Sequence, residues 1–153
     1  MKNMKLKTKK AIEAFKMLDL AKYQKLSDDD KVKVWKITRA LRLIALEYSD
    51  VVQDARERLV PSEDYKEKLQ KAQLYEQMKK EGKDNLPISD EEYLEFLKVF
   101  KEYMELLDKA LKEELDKEND IEIPTISEDA FGKLMASNDW SFGQVEALDF
   151  IIE

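Results

Sequence analysis

KVKVWKITRALRLIALEYSDVVQDARERLV, residues 31–60, and SDEEYLEFLKVFKEYMELLDKALKEELDKE, residues 89–118, decide the fold. The first places Val34, Ile37, Leu41, Ile44, Tyr48, Val51 and Ala55 three or four residues apart. The second does the same with Tyr93, Phe96, Phe100, Tyr103, Leu107 and Ala110. That spacing keeps side chains on one side of an α-helix. Each stripe needs an apolar partner, and the sequence predicts that the two pack against each other as a long antiparallel helical hairpin.

The stops and starts around these helices are legible too. Ser27, followed by Asp28, Asp29 and Asp30, has the side chain of an N-cap and a first turn that suits the helix dipole. Pro61 ends the first long helix near Val60. Ser62 is expected to cap a further helical piece, Glu63 to about Glu81, carrying Tyr65, Leu69, Ala72 and Tyr75, with Gly82 closing it. Residues 82–87 read as the clearest loop. Ser89 and Glu92 form a capping box for the second long helix, which should fade near Asn119.

Outside the hairpin, Met4–Lys7 and Ile121–Ile123 alternate apolar and charged residues like short strands. Their pairing would set Lys5 and Lys7 beside Glu122, with residues 5 and 123 brought together. A two-stranded ribbon is marginal alone, so flanking helices must cover it. Thr8 is expected to cap a helix bearing Ala11, Ile12, Phe15 and Leu18. Ser127 starts a short helix to about Ala136, and Ser141 with Gln144 caps a last helix ending in Leu148, Phe150, Ile151 and Ile152. The expected architecture is mainly α. It is one domain over 1–153, with a base from 4–26 and 119–153, a hairpin from 27–60 and 89–118, and a helical or loop connection over 61–88.

Composition agrees with a thin helical chain. The 153 residues are 43% hydrophobic and 40% charged, with three glycines and three prolines. A chain of this length buries roughly two thirds of its unfolded surface, so one modest core is within reach. The charge is lopsided: residues 1–25 hold eight lysines against Glu13 and Asp19, and residues 113–153 hold twelve acids against Lys117 and Lys133. The two ends are read as attracting each other in the fold. Nucleic acid is not the expected partner, because the basic start lacks interleaved aromatics or a glycine-rich loop. No apolar segment reaches the ~20 residues of a membrane span, and the lysine-rich start leads into no signal-like stretch, so an intracellular, cytoplasmic setting is expected.

Catalytic chemistry finds few carriers. There is no histidine and no cysteine, which removes the commonest general base, thiolate nucleophiles and most zinc sites. Glu113, Glu114 and Glu118 share a helical neighbourhood but lack the Glu-x-x-His partners of a di-metal bundle, and are read as a solvated acidic face. No catalytic residue, metal, cofactor or small-molecule substrate is expected. Trp35 is read as core or hairpin base. Trp140 reads first as a plug on the core, and otherwise as an anchor for a protein partner, with Phe142 and Phe150 beside it.

The order Met-Lys-Leu-Lys-Thr (4–8), charged hairpin, Ile-Glu-Ile-Pro (121–124) and Glu-Ala-Leu-Asp-Phe-Ile-Ile (146–152) resembles a group of small proteins encoded in tailed-phage and prophage genomes. The resemblance spans Met4 to Ile152, without Ser62–Leu86, and rests on order and pattern. It implies a viral context and, since the group has no established activity, no catalytic residues. The expected function is therefore protein–protein binding or self-association by a phage or mobile-element protein, as a virion or assembly component or helper. The alternative is an acidic inhibitor of a host nuclease or defence complex, whose C-terminal charge would occupy a basic groove. A small metal-dependent hydrolase is the third.

Overall fold

The computed structural model describes all residues from Met1 to Glu153. The chain runs β1 (Lys2–Lys7), α1 (Thr8–Asp19), α2 (Asp28–Leu59), α3 (Tyr65–Lys80), α4 (Asp90–Asp116), β2 (Glu118–Ile123), α5 (Glu128–Ser137), α6 (Phe142–Ala147) and a 3₁₀ turn over Asp149–Ile151. The fold is mainly α with a two-stranded antiparallel ribbon. Two compact units form, one from 1–51 with 113–153, the other from 52–112, so the boundaries fall inside α2 and α4.

In the first unit β1 and β2 pair over six residues each, longer than their alternation suggested. The expected ribbon forms, but its register differs from the one anticipated. Lys5 opposes Asp120 and Lys7 opposes Glu118, while Glu122 faces Asn3 and Ile123 faces Lys2. β2 begins at Glu118 because α4 stops at Asp116, three residues before the expected fade. Thr8 explains the stop. Its backbone N–H (2.9 Å) and hydroxyl (3.3 Å) both donate to the carbonyl of Lys117, and the Asn119 amide donates to Thr8 Oγ1 (2.9 Å) and the Leu6 carbonyl (3.0 Å). Thr8 is therefore the first residue of α1 and a buried tie between chain segments, not its cap; Lys7 stands at the cap position without a side-chain bond.

The core of this unit gathers Leu6, Ala11, Ala14, Leu18, Leu26, Ile123, Ile126, Phe131, Leu134, Leu148 and Ile151, with Val34, Ile37, Leu41 and Ile44 from α2. The second unit has its own core of Ala55, Tyr65, Ala72, Phe96, Tyr103 and Leu107, with Leu59 and Leu69 packed on it. The α2 stripe is thus divided. Only its far end shares a core with the α4 stripe, and Val34–Ile44 is covered by the ends of the chain. Periodicity fixes which face is buried and is silent on which apolar surface covers it.

In the second unit, Ser62 does not cap α3. Its hydroxyl donates to Asp64 Oδ1 (2.6 Å), and α3 starts two residues later than expected, at Tyr65. Gly82 ends it with φ +71° while the N–H of Lys83 reaches the Met78 carbonyl (3.0 Å), the closure a left-handed residue permits. The Ser89–Glu92 capping box forms with both bonds present.

Candidate functional site

Local chemistry fixes the C-terminal segment of the first unit residue by residue. Ser127 Oγ accepts from the Ala130 N–H (3.1 Å) and starts α5. At the other end of α5, Asn138 is held from both sides: its Oδ1 accepts from the Lys22 N–H (2.9 Å), and its amide donates to the carbonyls of Lys22 (3.1 Å) and Leu134 (2.9 Å). The turn bearing Trp140 is therefore anchored to the segment between α1 and α2. Ser141 and Gln144 then close a full capping box, which fixes the direction of α6.

This geometry sorts the three aromatic candidates. Trp140 is half-buried on the core, and so is Phe150, whose ring lies 5.5 Å from Lys10 Nζ. Lys10 also pairs with Asp149 at 3.1 Å. Phe142 stands outward, 83% exposed, as the first residue of α6. Glu146, one turn on, shares its face. Asp139 and Glu146 are also exposed. Val145, beside Glu146, packs on the core, and Leu148, just past the end of α6, is buried. The closing Phe150–Ile152 stretch is tied down. Ile126 N–H donates to the Ile151 carbonyl and Glu153 N–H to the Ile126 carbonyl, both at 2.9 Å. Phe150 and Ile151 lie in the 3₁₀ turn that follows α6 and Ile152 bridges Ile126, so these residues do not continue the last α-helix as expected.

Trp35 departs from its expected place in the core. It is 58% exposed, with the Arg39 guanidinium 5.5 Å from its ring centroid. It follows Val34 directly, and one residue is a rotation of about 100° on a helix, enough to leave the buried stripe.

In the second unit a cleft of about 670 Å³ is lined by Pro61, Tyr65, Ile88, Phe96 and Val99, with Lys68 and Lys71 at its rim. These lysines are engaged by Asp64 (3.4 Å) and Glu67 (3.5 Å). Tyr65 lies between Tyr103 and Phe96, ring centroids 5.0 and 5.8 Å away, and its hydroxyl is buried without a hydrogen-bond partner. Burial, and next Tyr103, pushes its pKa above the ordinary tyrosine value. Nearby the rings of Tyr75 and Tyr93 stack at 4.3 Å. Tyr75 donates to Asp90 and Tyr93 to Glu76, while Lys79 Nζ donates to Tyr75 and to Asp90, each at 3.0 Å. The Tyr75 hydroxyl, then Lys79, holds the Asp90 carboxyl below its ordinary pKa. These bonds fasten the start of α4 to α3 across the 82–87 loop.

No group of three or more acidic side chains converges as metal ligands would, and no helix is long and apolar enough to cross a membrane. No family model, curated protein or solved structure matches the chain. Sequence reasoning missed Asn138, which positions the Trp140 turn; an Asn just past a helix end, before an aromatic, was the available signal.

Proposed function

We propose that this chain is a non-enzymatic phage or mobile-element protein that works in the host cytoplasm or the virion by binding a polypeptide, and that Phe142 is the centre of the surface it uses. The observation that carries this reading is the exposure of a large aromatic on a rigidly capped helix. A flexible tail could fold such a ring away, whereas the Ser141–Gln144 box holds it out, and preorganised aromatic anchors dominate binding energy at protein interfaces. Half-buried Trp140 and Phe150 belong to the same C-terminal segment and add partly exposed apolar surface to it. Asp139 and Glu146 favour a partner with basic groups at its rim.

The nuclease-inhibitor alternative draws on the acidity of the same chain end, but part of that charge already faces cations at home. Asp120 and Glu118 stand opposite Lys5 and Lys7, and Asp149 pairs with Lys10. The binding reading therefore leads. Mass spectrometry of purified phage particles tests the proposed context. A component role predicts the chain at a fixed ratio to a structural protein; a helper role predicts its absence from particles and its recovery with a partner from infected or lysogenic cells. Recovery in neither place contradicts the reading, and salt-sensitive capture of a host nuclease would transfer it to the alternative.

A further inference from the structure

We propose that the outward face of α2 between Val32 and Leu46 is a docking surface, and that its occupant is the Phe142 face of a second copy of this chain. Val32, Trp35, Arg39, Leu43 and Leu46 follow one another by three or four residues, on the side of α2 opposite Val34, Ile37, Leu41 and Ile44. Val32 is 50% exposed, Leu43 64% and Leu46 56%. Single exposed apolar residues are ordinary on any protein, but three in line with an arginine-stacked tryptophan form a continuous patch.

Charge selects the occupant. Lys31, Lys33, Lys36, Arg39 and Arg42 lie between Asp30 and Glu47 with no acid among them, in a chain of net charge −7. Of the five, only Lys31 reaches a carboxylate, Asp28 at 3.9 Å. Two such faces brought together would oppose cation to cation, so a two-fold pairing of α2 with α2 is disfavoured. The complementary surface exists elsewhere in the same molecule. Residues 137–153 carry Asp139, Glu146, Asp149 and Glu153 without a single base; Asp149 is taken by Lys10, and exposed Asp139 and Glu146 stand three residues before and four after the exposed Phe142. An outward aromatic flanked by two exposed acids matches an apolar ridge flanked by cations. Nucleic acid satisfies the cations alone. It has no use for Val32, Leu43 and Leu46, and the net charge repels it.

The inference rests on the Phe142 face being a binding surface, and it adds a partner for that face. Because the two surfaces differ, the contact is heterologous, and copies join head to tail into chains or rings. The ridge covers 15 residues, about 21 Å along one helix, so each contact is a single narrow strip. Association is therefore concentration-dependent, not obligate.

Sedimentation velocity on the full chain tests this with two charge-reversed variants, Arg39→Glu with Arg42→Glu, and Asp139→Lys with Glu146→Lys. All four sites are exposed, and circular dichroism checks that each variant folds. The wild type should gain mass with concentration in the micromolar range and lose it as salt rises. Each variant alone should associate at least about tenfold more weakly, and an equimolar mixture of the two should recover a complex, since each retains the surface the other lacks. A wild type that stays monomeric, or a mixture that stays monomeric, overturns the proposal. So does a monomeric wild type whose binding of a labelled single-stranded oligonucleotide is lost with the arginine reversals, which assigns the ridge to nucleic acid. Phe142-dependent capture of a different polypeptide by a monomeric wild type would still leave the parent reading standing.

Discussion

Replacing Leu6 by Ala separates a structural N-terminal strand from a loose lysine-rich tail. Leu6 is 5% exposed and belongs to the core that joins β1 to α1, α2, α5 and the closing turn. Truncating a fully packed leucine costs about 2–5 kcal/mol, combining lost transfer energy with the cavity left behind. Leu6 sits on a two-stranded ribbon able to relax towards the gap, so about 2–3 kcal/mol is expected. Both tryptophans, Trp35 and Trp140, lie in the unit that contains Leu6, so tryptophan fluorescence during urea unfolding reports on that unit. With a slope of about 1.5–2 kcal/mol per molar urea, the midpoint should fall by about 1–2 M. Lys5→Ala, on the exposed face of the same strand, should change stability by less than about 0.5 kcal/mol. A Leu6→Ala midpoint within experimental error of the wild type would refute the reasoning and make residues 1–7 a free tail.

Other substitutions probe the remaining ties. Asn119→Ala removes donors to Thr8 and the Leu6 carbonyl and should cost about 1–2 kcal/mol by the same urea assay. Tyr65→Phe deletes a buried hydroxyl that has no partner, so it should leave stability unchanged or raise it by up to about 1 kcal/mol, read from the thermal midpoint. The depressed pKa of Asp90 means that its ionised form is favoured in the folded state. That contribution is fully present above the ordinary carboxylate pKa and is lost as pH falls through the depressed one. The stability gap between wild type and Asp90→Asn should hold constant near neutrality and close in the acid range, measured by melts across pH.

Much of this fold is legible in the sequence where the signal is local. Ser27, Ser89, Ser127 and Ser141 each donate no fold information beyond their own turn, yet each marks a helix start correctly, because a cap is satisfied within three residues. Thr8 and Ser62 look equally like caps and are not. The backbone and hydroxyl of Thr8 are claimed by a carbonyl 109 residues away, and Ser62 is turned to Asp64. The same divide separates the ribbon from its register, which depends on where α4 stops. The division of the α2 stripe between two cores depends on tertiary packing that a helical period does not encode. For the candidate surface, the residue types were visible in Trp140, Phe142 and Phe150. Which of them stands outward was not, because exposure is decided by the Asn138 anchor and the Ser141 cap acting together. Trp35 failed for a simpler reason: it adjoins the stripe in sequence but not in angle.

Comparative affinity capture with wild type and Phe142→Ser, quantified by mass spectrometry, addresses the binding claim most directly. Phe142 is already in solvent, so its removal should alter stability by less than about 0.5 kcal/mol and leave the circular dichroism spectrum unchanged. The account predicts a polypeptide, a second copy of the chain included, that is retained by the wild type and depleted with the variant. Identical recoveries from the two folded proteins would contradict it.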